Sequence, residues 1–259
     1  MSVLFAISKL TAGYGKRDVL HGISLDLAPG RFYGLIGPNG SGKTTLLDLM
    51  LGNLTPREGS ILFRGQKVEL YSKRTLARDI ALVPQEFAIN FDFTVQEVVM
   101  MGRHPHLPRF ATPGPNDHRI VEQVLQELEI SDLAQRLVTQ LSGGEKQRVI
   151  VARALAQETP VLILDEATSN LDIQHTIQIF RVLRQRCAEQ GATIIAAIHD
   201  LNFAGAYCDE IILINHGRLA AHGTPRKVLV PEMLAQVFSL DCLAYEQPFS
   251  GAHQVAYRY

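Results

Sequence analysis

The stretch GPNGSGKT, residues 37–44, carries the strongest chemical signal in this sequence of 259 residues. It matches the pattern G-x-x-x-x-G-K-[ST], whose glycines allow backbone N–H groups to surround a phosphate chain. Lys43 supplies a positive charge for the β- and γ-phosphates, and the Thr44 hydroxyl suits Mg²⁺. The alternative, a glycine-rich turn arising by chance, does not explain why a predicted strand precedes the motif and a predicted helix follows it. The sequence therefore predicts a phosphate-binding loop.

Two adjacent acids end the apolar run VLILD, which is typical of a strand buried on both faces. Asp165 suits a Mg²⁺ ligand, and Glu166 suits a general base that activates an attacking water. We expect the two side chains to point apart, because adjacent residues of an extended segment do so. The alternative is a strand end that simply meets solvent.

Two isolated polar residues also close predicted strands. Gln85 follows IALVP, and His199 follows TIIAAI. In a parallel α/β sheet the ligand crevice lies at the carboxyl ends of the strands, so both residues are candidates for contact with the γ-phosphate or its attacking water. A lone histidine at a strand end is more often structural, but the shared position of these two residues favours a functional role.

A second glycine-containing motif, LSGGEKQR at residues 141–148, reads as the start of a helix. Ser142 and Glu145 fit a capping box. Gly143 and Gly144 in the first turn are a poor choice for stability, at about 1 kcal/mol each relative to alanine. A helix that opens on glycines presents bare N–H groups, which is the arrangement of an anion-binding site.

The elements that must position these residues alternate between strands and helices. Short apolar runs predict strands at residues 3–8, 23–27, 32–37, 60–65, 79–84, 161–165, 193–199 and 210–215. Helices are predicted directly after the phosphate loop, at 94–102 ending at Gly102, at 119–130 and at 176–190 ending at Gly191. The weakly patterned tail from Pro231 onward is expected to be helical at first. The four prolines of residues 103–118 exclude regular structure there. This pattern predicts an α/β fold with a largely parallel sheet and a helical insert near its middle.

Composition restricts the class of protein. The formal net charge is −1 and the basic residues are scattered, so we expect no nucleic-acid partner. The N-terminal segment is interrupted by Lys9 too soon for a signal peptide, and no apolar run approaches the roughly 18 residues that span a bilayer. Cys187, Cys208 and Cys242 form no C-x-x-C pair, which predicts reduced packing residues. We therefore expect a cytosolic protein that docks on a membrane protein.

The motifs taken together resemble one family. Tyr14, GPNGSGKT, Gln85, LSGGE, LILDE, SNLD at 169–172 and His199 occur in the order and at the separations found in the ATP-binding subunits of ABC transporters. The resemblance covers residues 3 to about 225. It implies a P-loop NTPase with a RecA-like core, a mostly parallel sheet, antiparallel N-terminal strands and a helical insert at about 90–157. The ATPase domain would span residues 1–240, followed by a tail at 241–259.

The resemblance also implies roles for individual residues. ATP would be bound by Tyr14, Gly37, Pro38, Asn39, Gly40, Ser41, Gly42, Lys43, Thr44, Thr45, Gln85, Ser142, Gly143, Gly144 and Asp165. Mg²⁺ would be held by Thr44, Gln85 and Asp165, and the catalytic residues would be Glu166, His199 and Gln85. Two copies would pack head to tail, with Ser142, Gly143 and Gly144 of one capping the γ-phosphate held by the other. For Tyr14, a place in the core is the alternative to stacking on adenine.

Two positions depart from the usual family pattern. The signature carries Glu145 where Gln is commoner, and the capping role accepts either residue. The turn reads SNLD where SALD is frequent, so Asn170 would alter contacts across the dimer while Asp172 is kept.

The transporter type is indicated by VVMMGRHPH at residues 98–106. This segment and the run 141–157 resemble ATPase subunits of importers for iron–siderophore complexes, haem and cobalamin. The resemblance implies two separate permease subunits, a periplasmic or lipid-anchored substrate-binding protein, and a peripheral position on the cytoplasmic face of the inner membrane. A metal site at Arg103, His104 and His106 is the alternative reading, but the intervening prolines and the arginine favour a shaped loop.

Two other functions compete with import. An exporter's ATPase subunit is disfavoured by the VVMMGRHPH resemblance. A soluble ABC ATPase that acts on ribosomes or DNA is disfavoured because the chain has one such unit and no sustained heptads.

Overall fold

The computed structural model describes residues 3–85, 91–109, 111–168 and 171–258. The described residues of Met1–Ser72 and Thr193–Tyr259 form one compact unit, and those of Lys73–Ala192 form a second. The strands are β1 (Phe5–Tyr14), β2 (Arg17–Leu27), β3 (Phe32–Ile36), β4 (Glu58–Phe63), β5 (Gln66–Lys67), β6 (Ile80–Val83), β7 (Val161–Asp165), β8 (Thr193–Ala197), β9 (Glu210–Asn215), β10 (Arg218–Gly223), β11 (Cys242–Glu246) and β12 (His253–Tyr257). The α-helices are α1 (Lys43–Met50), α2 (Lys73–Asp79), α3 (Val95–Met100), α4 (Pro115–Glu127), α5 (Gly143–Ala156), α6 (Ile173–Gln190), α7 (Leu201–Tyr207), α8 (Pro225–Val228) and α9 (Pro231–Phe238).

The first unit opens with an antiparallel sheet in the order β2-β1-β4-β5. β1 and β2 form a hairpin whose register runs from Phe5 opposite Leu27 to Tyr14 opposite Arg17. Both strands are longer than predicted, because their outer halves carry exposed polar residues such as Asp18 that hide the strand pattern. The hairpin places Tyr14 at its tip.

A second sheet of the first unit is centred on β3. β3 pairs in parallel with β8 on one side and β9 on the other, and β9 pairs antiparallel with β10. Every residue of β3 and β8 is buried, as their continuous apolar runs predict. β10 escapes prediction because its sequence, RLAAHG, alternates between exposed and half-buried positions.

The second unit combines the parallel pair β6–β7 with the helices α2 to α6. α3 packs against α5, and the two helices approach closely at Gly102. A Cβ built at Gly102 would lie 2.2 Å from the Arg153 carbonyl oxygen. The prediction that Gly102 terminates the helix is therefore wrong, since a 3-10 turn continues α3 through Arg103 and the glycine serves close packing.

α4 begins inside the segment predicted to be irregular. Pro115 occupies the first turn, where its missing N–H is not needed, and the Gly114 amide donates to Asp117 Oδ2 at 2.9 Å. Proline therefore starts this helix, where the prediction treated it only as a breaker.

The C-terminal segment folds as α9 followed by the β11–β12 hairpin. Asn202 of α7 ties the hairpin down: its amide oxygen accepts from Val255 N at 2.7 Å, and its Nδ2 donates to Val255 O at 3.3 Å. The helix after Pro231 is confirmed, whereas the hairpin was not predicted. The domain boundary at residue 240 stays a prediction.

The parallel pairs β3–β8, β3–β9 and β6–β7, the antiparallel N-terminal sheet and the interspersed helices confirm the α/β class. The three cysteines are free and buried, in agreement with their predicted packing role.

Candidate nucleotide site

The phosphate loop begins where the buried strand β3 ends. Gly37 has a φ of 155° and Gly42 a φ of 109°, both unfavourable for residues with a side chain. A Cβ would lie 2.1 Å from Ile214 O at Gly37 and 2.5 Å from Leu20 Cδ2 at Gly42. Both positions therefore require glycine, and the chain turns directly from the loop into α1.

Lys43 and Ser41 place polar groups inside this loop. Lys43 is 4% exposed, and its ammonium donates to the carbonyl oxygens of Gly37 at 3.0 Å and Pro38 at 3.4 Å. The Ser41 hydroxyl is buried and has no hydrogen-bond partner among the described residues. Buried polar groups are normally paired, so an oxygen-rich ligand fits this cradle. A phosphate chain offers acceptors to both side chains.

The other residues of the motif differ in exposure. Asn39 and Gly40 are exposed at the tip of the loop, Thr44 is exposed in the first turn of α1, and Thr45 is buried. The Thr44 residue is thus accessible to a ligand seated on the loop, whereas Thr45 belongs to the packed side of the helix.

Tyr14 and the phosphate loop line the same cavity of about 560 Å³. Its wall consists of Tyr14, Arg17, Asp18, Val19, His21, Gly40, His216 and Gly217. Tyr14 is 50% exposed and so is not a core residue. An open aromatic face beside a phosphate loop suits stacking on a nucleobase, which every base permits through its π-face.

Sequence reasoning missed the β9–β10 turn at this cavity. Gly217 N donates to Ser41 O at 3.0 Å, and His21 N donates to Gly217 O at 2.8 Å. A Cβ at Gly217 would lie 1.9 Å from Val19 O, so this turn seats its backbone directly against β2 and the phosphate loop. The dipeptide His216-Gly217 between two apolar runs is the turn signal that could have located it.

Asp165 and Glu166 lie where β7 ends in the second unit. Asp165 is 7% exposed, whereas Glu166 is half-buried and has a φ of 50°. The expectation that both residues are extended is therefore wrong for Glu166, whose direction is set by a left-handed backbone. A non-glycine residue in this region is strained, and such strain concentrates at functional sites.

Gln85 and Glu166 are brought together across 81 positions of sequence. Gln85 Nε2 donates to Glu166 Oε2 at 2.7 Å. Gln85 is exposed, so the pair lies at an accessible edge. A carboxylate accepts several hydrogen bonds, so one that is oriented by an amide donor can also accept from a water molecule, as a general base must.

His199 lies two residues beyond the end of β8 in the first unit and is exposed. The next residue, Asp200, caps α7 by accepting from Asn202 N at 2.7 Å and Phe203 N at 3.2 Å. The sharp exit of the chain from the sheet therefore leaves the imidazole at a strand's carboxyl end.

The LSGGE motif forms the predicted capping box. Ser142 Oγ accepts from Glu145 N at 3.3 Å, and Ser142 N donates to Glu145 Oε2 at 2.8 Å. Hydrogen bonds from the Ser142 hydroxyl and amide hold the pKa of Glu145 below its ordinary value. Gly143 is exposed, and an added Cβ would meet nothing within 4 Å beyond its own helical turn. Among the described residues, neither a backbone angle nor a packing contact explains the glycine at this position. The approach of an external group would explain it.

Asp172 caps α6. Its Oδ1 accepts from His175 N at 2.9 Å, and its Oδ2 lies 2.8 Å from His175 Nδ1. The backbone and side-chain hydrogen bonds of His175 hold the pKa of Asp172 below its ordinary value. Asn170, the residue that departs from the family pattern, lies outside the described residues.

The basic segment after α3, residues 103–106, is held by hydrogen bonds within the second unit. Arg103 is 6% exposed and donates to Asp117 Oδ1 at 2.9 Å and to the Ala156 carbonyl at 2.7 Å. The His106 ring bonds Gln157 O at 2.7 Å, while His104 is exposed. In the described part of the chain, no group of three or more His, Cys, Asp or Glu side chains is arranged to hold a metal.

A family model described as "ABC transporter" matches residues 20–169. The chain belongs to the ABC transporter family. This assignment agrees with the resemblance carried by its motifs, and it places the chain among the family's ATP-binding proteins. None of the helices in the described ranges combines the length and apolarity needed to cross a bilayer.

Several curated ABC transporter proteins are similar in sequence. A cobalamin import ATP-binding protein of Halobacterium salinarum is 42% identical over 90% of this chain, which spans 58% of that relative's length. A ferric enterobactin transport ATP-binding protein of Escherichia coli is 37% identical over 94% of this chain and 90% of its own. A hemin import ATP-binding protein of Thermobifida fusca is 38% identical over 96% and 87% respectively.

Solved ABC transporter structures share the fold. A metal-chelate type ABC transporter in an inward-facing conformation gives a TM-score of 0.84 at 30% identity, covering 99% of this chain and 98% of that one. A dimeric ATP-binding cassette bound to ADP and phosphate gives a TM-score of 0.76 at 27% identity, covering 86% and 99%. The predicted cassette fold is confirmed by these likenesses.

Proposed function

We propose that this chain is the ATP-hydrolysing subunit of an ABC importer for a metal chelate. The observation that carries the ATPase half of the proposal is the cradle formed by buried Lys43 and the unpartnered Ser41 hydroxyl. Lys43 neutralises charge on the β- and γ-phosphates, while the loop amides and the first turn of α1 bind the remaining oxygens. Tyr14 stacks on the base.

Mg²⁺ accompanies the nucleotide. Its proposed protein donors are the Thr44 hydroxyl, the Gln85 amide oxygen and the Asp165 carboxylate. This all-oxygen set fits Mg²⁺, which takes few protein ligands and completes its shell with phosphate oxygens and water. When bound, the ion neutralises charge that develops on the phosphates during their transfer.

Hydrolysis requires a base for the attacking water, and we assign that role to Glu166. Its left-handed backbone and the 2.7 Å bond from Gln85 fix the carboxylate in one direction. Gln85 also orients the water, and the exposed imidazole of His199 contacts the γ-phosphate. Proton abstraction by a positioned carboxylate typically raises a reaction rate about 10²–10⁴-fold.

A second copy of the chain completes each site. Ser142, Gly143 and Gly144 at the start of α5 cap the γ-phosphate held by the opposite protomer. Gly143 supports this assignment, because none of the residues that the structure describes requires a glycine there. Asp172, at the start of α6, belongs to the same protomer boundary. The dimeric cassette with ADP and phosphate offers a precedent for the assembly.

The import half of the proposal rests on the relatives. Their names assign them to import of cobalamin and hemin and to ferric enterobactin transport. By analogy the dimer binds two permease subunits at the cytoplasmic face of the inner membrane, and a substrate-binding protein delivers the chelate from outside. ATP closes the dimer, hydrolysis reopens it, and this cycle drives the permease.

The proposal is tested in cells that carry this gene. Affinity-tagged chain is expected to copurify with a polytopic membrane protein, and deletion of the gene is expected to abolish uptake of one radiolabelled chelate among iron–siderophore, haem and cobalamin. Recovery with ribosomes or DNA, or uptake unchanged for all three chelates, would overturn the importer assignment. Purified chain that hydrolyses no MgATP, alone or with its membrane partner, would overturn the ATPase assignment.

A further inference from the structure

The Tyr14 side chain is restrained by a hydrogen bond to Asp48. Its hydroxyl donates to Asp48 Oδ2 at 2.9 Å, although the residue itself is 50% exposed. A half-exposed aromatic side chain on a hairpin tip is free to change rotamer unless a bond restrains it. This hydrogen bond supplies such a restraint while leaving the ring at the wall of the 560 Å³ cavity.

Asp48 lies on α1, the same helix that starts from the phosphate loop. It is five residues beyond Lys43, and its second carboxylate oxygen accepts from Asn53 Nδ2 at 3.3 Å. The backbone amide of Asn53 also donates to Asp48 O at 2.8 Å, which fixes the end of the helix. One short helix therefore carries the phosphate lysine at its start and the anchor of the tyrosine near its end.

The hairpin turn beside Tyr14 has its own anchor. Arg57 donates through Nη2 to Gly15 O and through Nη1 to Asp18 Oδ1, both at 2.5 Å. Its backbone amide donates to Thr11 O at 2.9 Å. Because Arg57 holds the turn backbone, the hydrogen bond to Asp48 acts on the tyrosine side chain itself.

We propose that Asp48 is a positioning residue that presents the Tyr14 ring to the nucleobase of ATP, and the proposal rests on the ATP-binding function above. A ring already fixed in its stacking orientation loses less freedom when the base arrives, so affinity is gained without a contact between Asp48 and the nucleotide. The hydrogen bond between Tyr14 and Asp48 adds nothing to the binding of the phosphate chain. Its loss is therefore expected to weaken only ligands that carry a base.

Two ligands separate these contributions: MgATP and inorganic magnesium tripolyphosphate, which lacks base and ribose. Asp48→Ala and Tyr14→Phe are each expected to weaken MgATP binding about threefold to tenfold, the range for ordering one side chain on binding. Both are expected to leave tripolyphosphate affinity unchanged. The double variant is expected to bind MgATP with the same affinity as the single variant that binds it less tightly, because both changes remove the same hydrogen bond.

Matched variants exclude a general structural effect. Asp48→Asn keeps an oxygen that accepts from the tyrosine hydroxyl, so its MgATP affinity is expected to return to within twofold of wild type. Tyr71→Phe removes a different hydroxyl, which bonds Phe63 O at 2.8 Å, and Asp26→Asn neutralises an exposed carboxylate of β2. Both controls are expected to bind the two ligands as wild type does.

Isothermal titration of the full chain decides between the outcomes. Equal loss of affinity for both ligands in Asp48→Ala, additive losses in the double variant, or unchanged MgATP affinity in Asp48→Ala would each overturn the positioning role. Wild-type chain that binds MgATP no better than tripolyphosphate would show that no base contact exists. Binding of neither ligand would instead overturn the proposed ATP site, so failures at the two levels are distinct.

Discussion

Gln85 Nε2 donates to Glu166 Oε2 at 2.7 Å, joining the second residue after β6 to the first residue after β7. β6 and β7 are parallel neighbours, with Val83 opposite Leu164, so their carboxyl ends lie side by side. The bond leaves Gln85 exposed and Glu166 half-buried with a left-handed backbone. An acid that is oriented by a neighbouring amide yet accessible to water is suited to proton abstraction.

Replacing Glu166 by glutamine is expected to lower turnover of MgATP by about 10²–10⁴ while nucleotide binding is retained. The amide has the size of the carboxylate but accepts no proton from water. Because ATP then stays bound, a dimer is expected to accumulate, which light scattering coupled to size exclusion would detect. Glu122→Gln, an exposed acid of α4, serves as the matched control. Hydrolysis near the wild-type rate in Glu166→Gln would assign the base elsewhere.

Lys43→Ala is expected to weaken MgATP binding about tenfold to a hundredfold, since hydrogen bonds to charged groups each contribute about 1.5–3 kcal/mol. The ammonium is buried and donates to neutral backbone carbonyls, which offset part of the cost of its desolvation, and negatively charged phosphates offset more of it. The melting temperature of the free chain is expected to change little. The control is Lys16→Ala on the exposed β1–β2 turn. Unchanged affinity in Lys43→Ala, measured by fluorescent nucleotide titration, would remove the lysine from the site.

Gly143→Ala is expected to act in opposite directions on stability and activity. Alanine favours a helix over glycine by up to about 1 kcal/mol, and in the described part of the chain the added methyl meets no atom within 4 Å beyond its own helical turn. Chemical denaturation of the monomer is therefore expected to shift to higher denaturant. In the proposed head-to-tail dimer the same methyl would block close approach of the γ-phosphate held by the partner, so ATP-driven dimerisation and turnover are expected to fall. A variant that is both more stable and fully active would show that nothing approaches this helix end.

Mixing two inactive variants tests whether the site is shared between copies. Lys43→Ala disables one phosphate loop, and Ser142→Arg disables the facing helix start. In a head-to-tail dimer of the two variants both defects fall in one site, and the other site is intact. Random pairing is expected to restore about a quarter of the wild-type turnover, because half of the dimers are mixed and each has one working site of two. No recovery after mixing would mean that both sites must work together.

Arg103 and Asp117 are expected to make the second unit sensitive to acid. The hydrogen bond from Arg103, aided by the Gly114 amide, holds the pKa of Asp117 below its ordinary value. A depressed carboxyl pKa stabilises the fold above the unfolded value of about 3.9, and this stability is lost as pH falls below it. Asp117→Asn is expected to lower stability at pH 7 by about 1.5–3 kcal/mol, since Arg103 loses one charged hydrogen bond and keeps its ion pair with Glu158.

Urea unfolding at pH 7 and at pH 3 would measure this effect. The difference between wild type and Asp117→Asn is expected to shrink at the lower pH, because the carboxyl of the unfolded wild-type chain takes up a proton below its ordinary pKa of about 3.9. Asp132→Asn, an exposed acid of the same unit, is the control. A difference that is equal at both pH values would exclude the ion pair as its cause.

Local sequence patterns predicted the features that neighbouring residues determine, namely buried strands and helix caps. The runs that form β3 and β7 are buried at every position, and the Ser142 capping box forms with both of its hydrogen bonds. The Gly102 contact with Arg153 was missed, because a close approach between two helices leaves no mark in local sequence.

The candidate site divides in the same way. Motif spacing located the phosphate loop, the acids after β7 and the glycine-opened helix. It did not locate the left-handed backbone of Glu166, the Gly217 contact with the loop or the bond between Tyr14 and Asp48. Each of these depends on where a distant segment packs, which spacing along the chain does not encode.

The C-terminal hairpin offers a prediction about attachment of the tail. The side-chain amide of Asn202 hydrogen-bonds both the N–H and the C=O of Val255, a residue that is 3% exposed. These are the two bonds that a paired strand would otherwise make. Asn202→Ala leaves a buried N–H and C=O unpaired, at an expected cost of about 1–3 kcal/mol. Gln254→Ala, whose side chain accepts from the Tyr245 hydroxyl at 3.3 Å, is the control on the same strand.

Hydrogen exchange monitored by mass spectrometry would show where the Asn202 effect is felt. Peptides covering β11 and β12 are expected to exchange faster in Asn202→Ala, while those covering β3 and the phosphate loop stay protected. Local loosening is expected because the hairpin pairs only with itself among the strands described, and it is tied to α7 by these two bonds. Equal acceleration throughout the first unit would mean that the hairpin unfolds with the sheet, and unchanged exchange would mean that other contacts hold the tail.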